Sequence, residues 1–178
     1  MGDGMELDIT EEVWETIPEF PKYAVSNHGR VMNIRTENLV KPQITPQGIV
    51  YAPLYKDDQG YTRSIKVLVA RAFVNGEDDI FDTPINKDGD KSNNRSDNLV
   101  WRPRWFAVKY SRQFLGDYNN AEVGPVYDTE TEERYDTIYE VGTTFGLLFR
   151  DIFRSSYAET PVFPTGQVFR IPNAIHVR

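Results

Sequence analysis

The side chains best equipped for chemistry crowd into one stretch, Asn86-Lys87-Asp88-Gly89-Asp90-Lys91, continued by Asn93, Asn94, Arg95 and Asn98. Asp88 and Asp90 have the Asp-x-Asp spacing of a calcium loop, but that loop closes on a glutamate at its twelfth position, which here is Leu99. The chain has no cysteine, which excludes disulfides, thiolate zinc sites and a cysteine nucleophile together. Only His28 and His176 offer an imidazole. His28 sits in a turn with no partner histidine near it in sequence, which reads as a surface residue. An exposed lysine ammonium loses its proton only near pH ~10.4, so Lys87 in this polar, acidic loop is charged at neutral pH and accepts no proton. Asn93, Asn94 and Asn98 are residues that cap helices and turns in any protein.

A net charge of −7 argues against a uniformly basic nucleic-acid binder, yet the charge is unevenly placed. Residues 1–20 hold seven acids and no base, and residues 113–178 hold ten acids against five bases. Between positions 84 and 112 there are seven bases against three acids. Those bases are Lys87, Lys91, Arg95, Arg102, Arg104, Lys109 and Arg112. Phosphate binding depends on local cations rather than overall charge, so this stripe suits a DNA backbone, and it suits an acidic protein partner equally. No run of about 18 apolar residues exists, which excludes a membrane-spanning helix, and the acidic start without an apolar run predicts no secretory signal.

The elements that must position these groups are short. Tyr23–Val31 reads as two extended pieces around a turn at Asn27 and Gly29, and a second hairpin is expected around Gln47-Gly48. Asp58-Gln59-Gly60 reads as a further turn, and Lys66 to Phe73 as a short helix through Val67, Leu68, Ala70 and Phe73. Residues 74–98 form a long polar, turn-rich segment, the kind retained where it has work to do. Trp105 to Leu115 reads as a helix lined by Phe106, Val108, Tyr110 and Phe114, with Gly116 and Asn119-Asn120 as a linker. Beyond it, a hairpin with the tip Thr129-Glu130-Thr131-Glu132 precedes two helices, Ile138 to Phe145 and Leu147 to Arg154, and a closing strand at Gln167–Ile171. Leu148, Phe149, Ile152 and Phe153 suit either a small core or a protein interface.

Three segments resemble, in order, the parts of phage-type HNH homing endonucleases. Trp14-Glu15-Thr16-Ile17-Pro18 with Tyr23-Ala24-Val25-Ser26-Asn27-His28-Gly29-Arg30-Val31 resembles the nuclease-associated modular DNA-binding motif. Residues 65–101, from Ile65-Lys66-Val67-Leu68-Val69-Ala70 through Asn86-Lys87-Asp88-Gly89-Asp90-Lys91 to Asn98-Leu99-Val100-Trp101, resemble the HNH core. Residues 125–171 are similar, more loosely, to the helix-turn-helix repeat that follows such cores. The resemblance implies an α+β fold: a small bent-sheet N-terminal module, a ββα-metal core, and a C-terminal hairpin plus helix-turn-helix module. The corresponding divisions are an acidic tail over 1–11, the modular motif over 12–64, an HNH-like core over 65–115, a linker over 116–124 and the final module over 125–178.

In the family, a histidine serves as general base for attack on a phosphodiester, and one divalent ion, commonly Mg²⁺, takes up charge on the phosphate. The matching base position here is Lys87, with Asn94 in the same implied catalytic run. A second usual histidine is replaced by Lys66. Asn86 and Asn98 match the ion-holding positions; both are neutral, so no cofactor is expected unless Mg²⁺ is retained there. Arg30 is implied as a phosphate or sheet-edge contact. Lys91, Arg95, Arg102, Arg104, Lys109 and Arg112 form the candidate phosphate stripe, and Arg150 and Arg154, one turn apart, are the cations offered by the last helix. The leading expectation is a DNA-binding protein derived from an HNH homing endonuclease and lacking cleavage. Competing with it are a phage structural or interaction protein (a virion component or an inhibitor of a host enzyme) and an active metal-dependent HNH nuclease. The partner is then double-stranded DNA or a phage or host protein, with no membrane, in the cytoplasm of an infected bacterium or in the phage particle.

Overall fold

The computed structural model describes residues 11–116 and 121–172. The acidic head before Glu11, the Asn119-Asn120 linker and His176 lie outside the described residues. The chain divides into two units: the first runs to Pro84 and resumes over Asp90–Trp101, while the second holds Ile85–Gly89 and continues from Arg102.

The first unit begins with an antiparallel sheet in the order β1 (Trp14–Thr16), β2 (Tyr23–Ser26), β3 (Val31–Asn33). Trp14 faces Ser26 and Tyr23 faces Asn33 across it. A second sheet follows in the order β4 (Gln43–Ile44), β5 (Val50–Lys56), β6 (Gln59–Ser64). Its tight turn is centred on Asp57 and Asp58, both at left-handed φ (51° and 59°), and Lys56 pairs directly with Gln59. Such two-residue hairpin turns need positive φ at both central positions, and Asp tolerates it. The turn therefore lies one residue earlier than expected, and Gln59 and Gly60 belong to the strand. Helix α1 (Ile65–Phe73) places Ile65 and Val69 one turn apart on its buried face. Ile17, Phe20, Val25, Val31, Leu54 and Trp101 join that face in one apolar core. Trp101 Nε1 donates to Val74 O at 2.9 Å, fixing the ring in it.

Strands β7 (Thr83–Asn86) and β8 (Leu99–Arg102) form a two-stranded sheet, with a single 3₁₀ turn at Ser96–Asn98 between them. Helix α2 (Arg104–Gln113) follows and opens the main run of the second unit. It buries Phe106 and Tyr110, as expected from their spacing, but Val108 is 47% exposed and belongs to the outer face. Val108 lies two residues from both Phe106 and Tyr110, which on a helix carries it to the opposite side.

The remaining strands, β9 (Val126–Asp128), β10 (Arg134–Tyr135) and β11 (Phe169–Arg170), make an antiparallel sheet with β9 central. Helix α3 (Ile138–Phe145) is capped by Thr137, whose hydroxyl accepts from Glu140 N at 3.1 Å. It ends at Gly146, left-handed with φ 66°. Helix α4 spans Phe149–Ala158 with Leu148 as its N-cap, so it begins two residues later than the apolar run suggested. Phe149 and Ile152 enter the second core with Val126, Ile138, Val141 and Phe169, and Phe153 packs against it. The fold is thus a mixed one of small sheets and, among the described residues, four helices. No helix among the described residues is long and apolar enough to cross a membrane.

Candidate nucleic-acid interface

Within the first unit, the turn after β2 is held by Asn27. Its Oδ1 accepts from Val13 N at 2.9 Å and its Nδ2 donates to Glu11 O at 3.0 Å, so one buried amide ties the chain entering β1 to the turn leaving β2. The Asn27 carbonyl accepts from Ser96 N at 2.8 Å, which carries the same turn onto the 3₁₀ segment. Gly29, at φ +83°, lies so close to Asn94 that a Cβ there would sit 3.1 Å from Asn94 O. The Ser-Asn-x-Gly pattern is therefore a docking device: its side chain, its carbonyl and its missing Cβ each serve a separate contact. Asn94 is buried in that contact. Arg30 pairs with Glu12, Nε to Oε1 at 2.8 Å, and its guanidinium lies 5.8 Å from the Trp14 ring centre.

Three further polar residues of this unit build loop rather than chemistry. Asp90 accepts from Ser92 Oγ at 2.7 Å and Ser92 N at 2.8 Å, and these bonds hold its carboxyl below the usual range. Asn98 Nδ2 donates to Asn93 O at 2.9 Å, and Arg95 pairs with Asp97 at 3.3 Å. Lys66 is half-buried on α1, and that burial, reinforced by the charge of Lys91, pulls its ammonium pKa down. Two cations thus sense each other at the position where the family usually keeps a histidine.

In the second unit, Asn86 is buried and Lys87 is half-buried. Tyr110 of α2 reaches this segment: its hydroxyl donates toward Lys87 O at 2.5 Å and lies 3.0 Å from Gly142 O. Burial raises the Tyr110 pKa, keeping the phenol neutral and able to donate. Gly89, at φ +79°, lets the Phe114 ring approach so closely that a Cβ would meet it at 2.7 Å. The segment that carries the family's base position is therefore fastened to α2 by one phenol and one ring.

Arg102 requires a correction. It is 6% exposed, with Nη2 donating to Phe145 O at 2.6 Å and Nε to Gly146 O at 3.3 Å. Desolvation pulls its pKa down to about 10. A guanidinium spent on buried carbonyls does not track phosphates; it holds Arg102 to the end of α3. Arg104, Lys109 and Arg112 are exposed on α2, and Arg150 and Arg154 on α4. Lys109, Arg112 and Arg150 line one cleft with Gln113 and Leu148. Gln113 is not among the residues expected from the sequence, although a polar residue three positions after Tyr110 on a buried helix face is a visible signal.

The residues at the ion-holding positions do not fit a self-sufficient divalent site. Asn86 and Asn98 offer a cation only neutral amide oxygens; the Asn98 nitrogen, which holds no cation, donates to Asn93 O. Among the described residues, no three His, Cys, Asp or Glu side chains gather where an ion could sit. Magnesium prefers at least one carboxylate.

Known proteins resemble the chain over part of its length. Residues 12–55 match the NUMOD4 motif. An uncharacterized HNH endonuclease of Acanthamoeba polyphaga mimivirus is 35% identical over 88 residues, covering 49% of this chain and 26% of that protein. The DNA endonuclease I-HmuI of Bacillus phage SP01 is 36% identical over 91 residues, covering 49% of this chain and 51% of that protein. The solved structure of I-HmuI, an HNH homing endonuclease studied for DNA binding and cleavage, superposes with a TM-score of 0.51 at 26% identity, covering 89% of this chain and 97% of that one. The chain thus carries a NUMOD4 motif and resembles HNH homing endonucleases, in sequence over about half its length and in fold over most of it. The chain spans between about a quarter and a half of the curated relatives it matches. The motif match ends at residue 55, inside β5, and the similarity to I-HmuI's structure extends well beyond it.

Proposed function

We propose that this chain, a member of the HNH homing endonuclease group by its resemblance, binds double-stranded DNA and does not cleave it. The observation that carries the reading is Lys87 at the base position, its segment anchored by Tyr110 and its neighbours Asn86 and Asn98 neutral. Lysine, with an ordinary pKa of ~10.4, is a poor general base at neutral pH, and amide oxygens alone do little to offset charge developing on a phosphate. Retained cations on the outer face of α2 and on α4 support the binding half, and the α3–α4 pair with its Gly146 turn suits a helix-turn-helix. The scaffold outlives its chemistry, which is common among folds that host several functions.

The competing reading as an interaction protein loses one of its supports. Leu148, Phe149 and Ile152 are buried, Phe149 and Ile152 in the second unit's own core. Of the apolar residues on this helix, Phe153 alone stays half-buried, beside the exposed Tyr157.

The test is a duplex-binding titration alongside a supercoiled-plasmid assay with Mg²⁺ or Mn²⁺. The expected result is duplex binding that weakens steeply with salt and an intact plasmid. Metal-dependent nicking that disappears in Lys87→Ala would overturn the non-cleaving assignment, and absent binding at low salt would overturn the DNA assignment.

A further inference from the structure

Three cations from two helices converge on one cleft of about 210 Å³ in the second unit, lined by Lys109 and Arg112 of α2, Arg150 of α4, Gln113 and Leu148. We infer that this cleft is a single phosphate-binding notch, which takes one backbone phosphate of the DNA. The inference rests on the DNA-binding reading and adds to it a specific geometry.

Gln113 makes the notch rigid. Its side chain is buried, Oε1 accepting from Phe149 N at 3.0 Å and Nε2 donating to Leu147 O at 3.3 Å. One amide thus pins the end of α2 to the start of α4, which holds together the backbones that carry Arg112 and Arg150. The cations are available to a ligand. Among the described residues, Lys109 and Arg112 are in no ion pair; Lys109 lies 4.8 Å from the Trp105 ring centre, a contact that leaves ammonium protons for another acceptor. Arg150 has one carboxylate near it, Asp151 at 3.6 Å, which offsets part of its charge but leaves the cleft strongly cationic.

The lining argues for a phosphate: its apolar part is Leu148 and the stems of long side chains, and the polar groups it offers are three cations and one amide. A phosphodiester needs several converging N–H donors and little else. Because one phosphate is shared, the cations act as a unit rather than as separate contacts along a stripe.

The experiment uses the full chain labelled with ¹⁵N and a non-specific 20-base-pair duplex. The arginine Nε signals of Arg112 and Arg150, the Gln113 side-chain amide and the Phe149 amide are followed, and the same titration is run with inorganic phosphate. In parallel, the salt dependence of duplex binding is measured for Arg112→Ala, Arg150→Ala and the double variant. The expected result is that all four groups shift with one midpoint on adding duplex. Each single variant should lower the salt slope by about 0.9, and the double by the same amount, because one phosphate is lost in every case. Duplex binding with these signals unmoved, or a slope that falls by about 1.8 in the double, would sink the notch while leaving DNA binding intact. Shifts with inorganic phosphate but none with duplex would show that the cleft takes a free anion instead, and would overturn the DNA phosphate as its occupant. A chain that binds no duplex overturns the DNA reading and this inference with it.

Discussion

Arg102 and Arg104 are two residues apart and look alike in sequence, yet their surroundings divide them. Arg102 is committed to the carbonyls of Phe145 and Gly146, and Arg104 is exposed. Arg102→Met should cost about 2–3 kcal/mol of stability, since hydrogen bonds from a charged donor are lost and two carbonyls are left unmatched. It should leave the salt slope of duplex binding unchanged, whereas Arg104→Ala should lower that slope and spare stability. Urea midpoints and a salt series separate the two. The basic stripe was legible as a density of charge, but a count of charges does not tell which way each side chain faces. Lys66 poses a second residue-scale question. Burial and Lys91 lower its folded-state pKa below the ordinary 10.5, so the folded chain binds fewer protons than the unfolded one between those two values. Stability attributable to Lys66 must therefore rise with pH across that window and level off above it. Lys66→Met should be the more stable protein at neutral pH, and the gap should close as the pH approaches 10.5. A constant gap in urea midpoints from pH 7 to 10 would show that Lys66 is not strained by its surroundings.

Among the elements, the turn after β2 was the most legible and also the most informative. Asn27 and Gly29 were read as turn formers, which they are, but the pattern did not reveal that both also hold other segments. Asn27→Ala removes an amide that serves Val13 N and Glu11 O, and should cost about 1–3 kcal/mol because buried backbone groups lose their partners. Gly29→Ala should cost at least about 1–2 kcal/mol from its positive φ alone, before the approach of Asn94 is counted. Both variants should shift the urea midpoint without changing the slope of unfolding. An unchanged midpoint in Gly29→Ala would mean that the turn relaxes freely. The hairpin at Asp57-Asp58 was misplaced by one residue for a related reason: Gly60 looked like the turn glycine, while the strained positions fell to two aspartates. Helices α1, α2 and α3 were legible from apolar spacing. The start of α4 was not, because Leu147 and Leu148 extend the apolar run before the helix begins.

At the scale of the molecule, two apolar cores organise the chain, one around Val25, Leu54 and Trp101 and the other around Ile138, Phe149 and Ile152. Ile152→Ala should cost about 2–5 kcal/mol in the second core. Hydrogen exchange in that variant should accelerate through the second unit, and residues 85–89 should accelerate with it, since Tyr110 and Phe114 hold them there. Residues of β2, β5 and α1 should keep their protection. Should 85–89 instead exchange in step with β5, the assignment of that segment to the second unit would fail. None of this division was legible in the sequence, where the HNH-like stretch reads as one continuous block from 65 to 115.

The chain passes from one unit to the other after Pro84, returns after Gly89 and leaves again after Trp101. Anyone building hybrids from this family by joining the front of one protein to the back of another at a single splice point would separate Lys87 from the phenol that grips it. A splice after Trp101 would leave the five-residue segment 85–89 facing a foreign helix in place of Tyr110 and Phe114. A working graft would have to transplant that segment along with everything beyond Arg102, as a patch plus a tail. Inheritance by simple exchange of contiguous pieces is accordingly penalised at this junction, and the two parts of the molecule are bound to travel together.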